Sequence, residues 1–237
     1  MSRNPVARRQ FLRMLATAGA AAVLPIPAKA LGASHPPFDL HFPQDPLDTW
    51  FLQTFGMAKP DGRVHMGIDL MAPKMTPVYA IADGTINRIG QSPRAGRHMI
   101  IDHADGWQSW YLHLNNDDPG RNNGGADWAL TVIDGLDEGS TVTAGRHVAF
   151  VGNSGNAEAA MPHTHFELHF GSRIVNPYPY LVEGQAVALE AARKQRVADI
   201  VREKCQPDQG GPAIDADVCP RPTEGLGRIP KTMPGAL

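Results

Sequence analysis

His163-Thr164-His165-Phe166-Glu167-Leu168-His169-Phe170 (HTHFELHF) alternates ionisable side chains with threonine or apolar ones from end to end. Successive side chains of a β-strand point to opposite faces. His163, His165, Glu167 and His169 therefore share one face, and Thr164, Phe166, Leu168 and Phe170 the other. The stretch predicts a strand that lays a polar site over an apolar core. Far upstream, His65-Met66-Gly67-Ile68-Asp69 sets two more polar groups two strand repeats apart, with Gly67 leaving room for a metal or a substrate backbone. A third stretch, Trp110-Tyr111-Leu112-His113-Leu114, puts another histidine in a β-prone run.

These residue types point to metal chemistry. Zinc takes imidazole nitrogens and carboxylate oxygens, and a catalytic zinc keeps three protein ligands and one open position for water. His65, Asp69 and one histidine of the His163/His165 pair supply such a set. The helical His-Glu-x-x-His arrangement, in which the glutamate is a general base, is absent. Glu167 is instead placed by strand parity either beside a ligand histidine, as a carboxylate that orients it, or in solvent beyond the site, and the first is favoured. His35, His41, His98, His103, His147 and His169 match no ligand position and read as structural or surface groups.

Around these motifs the chain reads as mainly antiparallel β. Asp61-Gly62, Asp83-Gly84 and Asp105-Gly106 punctuate runs rich in Val, Ile, Tyr, Trp and Thr, a hairpin pattern. Residues 31–50 are Pro-rich and predict an extended arm packed on a domain at 51–182. Asn115 to Ile133, rich in Asn, Asp and Gly, predicts a loop that either shapes a groove or is merely solvated. Within 183–237, Gln185 to Lys204 predicts one helix with Val197, Ile200 and Val201 on one face, and the Pro- and Gly-rich remainder an irregular tail.

Taken together, the motifs resemble the lysostaphin-type (LytM-like) zinc endopeptidases that act on bacterial peptidoglycan. The matching stretches fall in family order: Phe55-Gly56, His65 to Ala72, Thr76-Pro77-Val78 with Ala80, Asp83-Gly84, Tyr111 to Leu114, Val151 to Gly155, His163 to Leu168, and Asn176-Pro177 with Tyr180-Leu181. Met75, Met161-Pro162 and Thr164 depart from the pattern without removing a ligand. The resemblance implies an antiparallel peptidase fold of the duplicated hybrid motif type, with one Zn2+ held by His65, Asp69 and His165. It makes His113 and His163 catalytic histidines that do not bind the metal, one taking a proton from water and the other stabilising the oxyanion. Which does which stays open in the sequence. It also implies peptidoglycan peptides as substrate. The competing reading is a catalytically idle relative that binds or regulates a cell-wall hydrolase, which would be expected to have lost ligands.

The amino terminus reads as an address. Arg8-Arg9-Gln10-Phe11-Leu12-Arg13 is a twin-arginine motif, followed by an apolar stretch from Met14 to Ile26 and an Ala28-Lys29-Ala30 cleavage signature. The stretch falls short of the ~18 apolar residues of a membrane span. Export to the periplasm or beyond follows, with residues 1–30 removed and no stable membrane insertion afterwards. Losing Arg3, Arg8, Arg9, Arg13 and Lys29, and no acidic residue, leaves 17 Lys plus Arg against 24 Asp plus Glu, a net −7. Such a chain, without a basic stripe, is unsuited to nucleic acid. Cys205 and Cys219 are expected to pair in an oxidising compartment.

Overall fold

The computed structural model describes residues 36–59 and 61–204. The export signal at 1–30, His35, and the tail with Cys205 and Cys219 lie outside the described residues. Strands β1 (Ile68–Met71), β2 (Pro77–Tyr79), β3 (Gly84–Ser92), β4 (Gly96–Asp102), β5 (Trp107–Leu114), β6 (Thr141–Val142), β7 (His147–Phe150), β8 (His163–Phe170) and β9 (Arg173–Val175) precede helix α1 (Tyr178–Lys204). The main sheet runs β1-β8-β5-β4-β3-β6, with β9 folding back on β8, while β2 and β7 form a second, small sheet. All pairings are antiparallel, as the sequence predicts.

The alternation in β8 separates the two faces of the main sheet. Phe166 and Leu168 are fully buried, and register sets Phe166 opposite Ile68 of β1 and Tyr111 of β5. These side chains join Leu70, Met99, Ile101 and Trp107 in one core, closed from below by Val78, Val148 and Ala149 of the small sheet. Burying each large apolar side chain contributes about 1.5–3 kcal/mol, so this face holds the sheet together and frees the opposite face for chemistry.

The arm is bonded into both sheets. His41 and Tyr79 amides donate to the Ile81 and Pro43 carbonyls, Trp50 pairs with Met71, and Phe42 is only 1% exposed. Of the three predicted Asp-Gly hairpins, Asp105-Gly106 joins β4 to β5 with φ of 56° and 80°, the primed geometry that matches strand twist. Asp61-Gly62 closes a short turn in which the Lys59 amide donates to the Arg63 carbonyl. Asp83-Gly84 is not a hairpin, because β2 and β3 belong to different sheets. Gly84 is needed for close approach: a Cβ there would sit 2.3 Å from the Asp102 carbonyl oxygen.

Helix α1 begins at Tyr178, a full two turns ahead of the predicted Gln185. The Asn176 side chain accepts the Tyr178 amide and Pro177 fills the first helical position, a strong start signal. Leu181 is fully buried, and Gln185 Nε2 donates to the Pro46 and Thr49 carbonyls. Beyond that anchor the predicted apolar face finds no cover at Val197, which is 38% exposed.

A buried polar chain crosses the core. The Tyr111 hydroxyl accepts the Ile81 amide at 3.1 Å and bonds Ser109 Oγ, which bonds His103 Nε2 at 2.7 Å, and His103 Nδ1 donates to the Asp83 carbonyl. Burial raises the Tyr111 pKa and lowers that of His103, so both are neutral links. Tyr111→Phe strands the Ile81 amide and part of the Ser109 hydroxyl. An unpaired buried group costs about 1–3 kcal/mol, and urea unfolding should show a loss of that size; an unchanged midpoint would refute the role.

Candidate metal centre and active site

Three elements bring the predicted residues together on the open face. Cross-strand register sets Asp69 of β1 opposite His165 of β8, and His65 lies in the segment leading into β1. Gly67 permits this approach, since a Cβ there would meet the Phe166 carbonyl at 2.4 Å and His165 Nε2 at 2.8 Å. The space that Gly67 leaves is thus taken by β8 itself, where the sequence reading gave it to a ligand. His65 Nε2, Asp69 Oδ1 and His165 Nδ1 form a triangle with sides of 3.0, 2.9 and 2.8 Å.

The outer nitrogen of each imidazole decides what that triangle is. His65 Nδ1 lies 3.2 Å from the Thr54 carbonyl, which can only accept, so Nδ1 carries the proton and Nε2 a lone pair. His165 Nε2 lies 3.0 Å from Glu167 Oε1, so its proton faces the carboxylate and Nδ1 faces inward as an acceptor. Two lone pairs and a carboxylate oxygen then converge with no donor between them. Such a set calls for a positive charge. A proton on His165 is one answer: burial opposes it, yet Asp69 and Glu167 raise the His165 pKa. Burial likewise opposes charge on Asp69, and His165 and His65 nonetheless hold its pKa low. A metal ion is the other answer, and among the described residues this trio alone has the donors to hold one.

His113 and His163 stand beside the triangle. His163 Nδ1 donates to the Met161 carbonyl at 2.7 Å, and its Nε2 lies 3.8 Å from Asp69 Oδ1. His113 Nδ1 donates to the Ser154 carbonyl at 2.9 Å, and its ring centre lies 5.2 Å from that of His163 and 6.0 Å from that of His165. Each keeps a free Nε2 lone pair, the form a general base requires. Burial and the nearby His163 and His165 push the His113 pKa down to about 4.

Strict alternation along β5 would point His113 into the core with Tyr111. A bulge intervenes: β4 and β5 slip register between Arg97 and Met99, and His113 takes a left-handed φ of 61°. Bulges re-aim side chains next to active sites, and a left-handed histidine carries strain that its surroundings must hold. The 152–155 segment does so. Ser154 Oγ donates to the Leu114 carbonyl and accepts the Arg97 amide, while Gly152 and Gly155 pack where a Cβ would come within 2.4 Å of Asn115 and 2.3 Å of Gly96. Sequence reasoning quoted Ser154 only within the Val151 to Gly155 stretch and gave it no role, because residue identity does not show that its backbone carbonyl meets His113.

The outer support reaches further than the sequence reading allowed. Glu167 bridges His165 to His169, whose Nε2 lies 2.7 Å from Glu167 Oε2 and whose ring stacks on Trp110 at 4.5 Å. His169, read from the sequence as structural or surface, is 8% exposed and belongs to this chain of contacts. Burial opposes charge on Glu167, but His165 and His169 hold its pKa down at about 2. The 115–133 loop is more than solvated: its Trp128, Ala129, Val132 and Ile133 line a surface cavity with Ile89, and its polar residues bond toward the 152–155 segment. Asp117, 3% exposed, accepts Lys74 Nζ at 2.6 Å and the Asn123 and Gly124 amides, and Asn122 accepts Asn153 Nδ2 beside Ser154.

Residues 63–122 match the profile of Peptidase family M23, a stretch that holds His65, Asp69 and His113 and stops before His163 and His165. The chain is similar to an uncharacterized metalloprotease of Haemophilus influenzae, 31% identical over 142 residues, covering 60% of this chain and 26% of that protein. It is also similar to the DD-carboxypeptidase/endopeptidase Mpg of Neisseria meningitidis serogroup B, 33% identical over 140 residues, covering 56% of this chain and 28% of that protein. A third relative, the murein hydrolase activator NlpD of Escherichia coli, is 29% identical over 144 residues, covering 57% of this chain and 32% of that protein. The chain thus spans only about a quarter to a third of the length of these relatives.

Glu167→Ala removes the group that turns His165 Nδ1 inward. Loss of such outer partners typically weakens metal binding about 10–100-fold, and chelator competition on the purified protein should show a loss in that range. Unchanged affinity would mean that Glu167 does not set the tautomer.

Proposed function

The chain carries a Peptidase family M23 domain, a metallopeptidase domain, and on that premise we propose that it is an exported zinc-dependent endopeptidase hydrolysing peptide bonds in peptidoglycan stem peptides or cross-links. One observation carries the reading: three electron-pair donors converge without a proton donor between them, beside two more histidines whose free nitrogens face the same space. Two nitrogens and a carboxylate oxygen suit zinc. His65, Asp69 and His165 would hold it, and when bound it supplies a water of lowered pKa and polarises the scissile carbonyl.

The remaining chemistry belongs to the histidines. One of His113 and His163 accepts the water's proton at Nε2 and returns it to the leaving amine; the other stabilises the carbonyl oxygen as it gains charge. The Ser154 and Met161 carbonyls fix both rings by their Nδ1 protons, so Nε2 is the atom each offers. Glu167 is committed to His165 and His169 and does not act as the base. The competing reading, an idle relative that binds or regulates a wall hydrolase, draws support from the similarity to an activator. The full set of five groups favours the enzyme.

His65→Ala, Asp69→Ala and His165→Ala should each lose zinc and hydrolysis, whereas His113→Ala should keep zinc and lose turnover by about 100-fold or more, the scale of a general acid–base contribution. Elemental analysis and mass identification of fragments released from peptidoglycan check both halves. A zinc-loaded wild type that releases no fragment from any peptidoglycan would favour the regulator.

The export part of the proposal rests on the twin-arginine sequence and on the wall location of a DD-endopeptidase's substrate. Among the described residues no helix is long and apolar enough to cross a membrane. Changing Arg8 and Arg9 together to Lys should leave the precursor in the cytoplasm, since the signal is read by a receptor rather than by bulk charge. Cell fractionation reads the outcome; efficient export of the variant would indicate the general secretory route. Thiol labelling of the exported protein tests the proposed Cys205–Cys219 pair in the same fractions.

A further inference from the structure

A cleft of about 290 Å3 opens beside His113, His165 and Glu167, and its walls carry an uneven charge. Its floor is Trp110 and Leu112, on the open face of β5. Lys59, Arg63, Val64 and Met66 line it from the segment before β1, and Arg94 from the tip of the β3–β4 hairpin. Three cations thus line one cleft in a chain whose mature form is net negative. Arg63 is already paired, its Nε donating to Asp61 Oδ2 at 2.7 Å. Lys59 and Arg94 make no side-chain hydrogen bond or ion pair among the described residues, Lys59 acting only through its charge on Asp61, and the one carboxylate on the cleft lining, Glu167, is held between His165 and His169. Val64 and Met66, 47% and 37% exposed, add apolar surface next to the charges.

Two cations from separate segments, Lys59 and Arg94, share one cleft with His113 and His165 and form a receptor for anionic groups of a peptide that reaches His113. The rest of the lining suits short aliphatic side chains. Building on the endopeptidase reading, we propose that Lys59 and Arg94 are specificity-determining residues that bind free carboxylates of the peptide substrate, so that the cleft selects acidic peptides over their carboxamide counterparts. Lys59 and Arg94 do not touch the reacting atoms. They act on the hold, not on the chemistry, and their effect belongs in KM rather than kcat.

The test compares a cross-linked muropeptide carrying free stem carboxylates with the same muropeptide amidated at those positions, on the zinc-loaded full chain. Wild type should favour the carboxylate form on the order of tenfold in kcat/KM, the scale of one or two exposed charge-assisted contacts. Lys59→Gln and Arg94→Gln should each cut that preference through KM with kcat retained, and the double charge reversal Lys59→Glu with Arg94→Glu should invert it. High salt should erase the preference in wild type, because exposed charges are screened. Calorimetric binding of both muropeptides to His113→Ala runs alongside. Equal kcat/KM for the two forms overturns the specificity assignment and leaves the hydrolase intact. Discrimination in binding without hydrolysis by any form of the wild type supports the assignment and overturns the hydrolase. Failure of the carboxylate form to bind, or equal binding of the two forms, overturns the assignment outright.

Discussion

Everything in this molecule is arranged around three acceptors held within 3.0 Å of one another. In isolation, two imidazole lone pairs and a carboxylate oxygen repel, and a chain free to move would separate them. They stay together because each is fixed from behind. Thr54 and Glu167 hold the imidazole protons outward, and the β1–β8 register sets Asp69 against His165. The cost of that convergence is met by the core on the far side of the same strands, where Ile68, Leu70 and Phe166 are fully buried. A cation at the triangle relieves the repulsion, and protons and metal compete for the same atoms.

The second constraint is placement of His113. Regular pleating cannot put it beside His165 while Tyr111 stays in the core, so the strand bulges and the histidine adopts a left-handed backbone. Strain of that kind persists only where the surroundings over-determine it. Here the Ser154 segment fixes the ring on one side and the end of β5 on the other, through glycines that allow backbone to lie on backbone. The 115–133 loop bonds that segment in turn through Asn122 and Asn153. A loop rich in Asn, Asp and Gly therefore braces the candidate site, its Asp117 and Asn122 bonded to Lys74 and Asn153.

What the sequence disclosed follows from the range of each signal. Alternation in HTHFELHF gave the strand, its two faces and the position of Glu167 beside His165, because period-two patterning is local and the core enforces it. The start of α1 was missed because the helix was traced from its Ala-, Glu- and Arg-rich body, while the cap lies upstream at Asn176-Pro177. Asp83-Gly84 was misread because the same dipeptide serves a tight turn or a close approach, and only the tertiary neighbour, the Asp102 carbonyl, tells them apart. Of the two readings the sequence left for His169, structural or surface, the structure takes the first, through a residue two positions away and a tryptophan on the next strand. Backbone carbonyls as orienting groups leave no trace in residue identity at all.

The charge distribution follows the same division between fixed and free groups. Carboxylates near the triangle are all committed, Asp69 to His65 and His165, and Glu167 to His165 and His169. Asp117 is likewise spent on Lys74 and two amides. Acidic groups at and beside the site therefore serve the protein's own architecture, and the charges left uncommitted on the cleft are positive. On the proposed reading, a peptide in that cleft meets His113 and His165 together with Lys59 and Arg94, which form no ion pair among the described residues. The interactions that build the site and those that select its ligand are thus carried by different residues, so the walls can vary without disturbing the triangle.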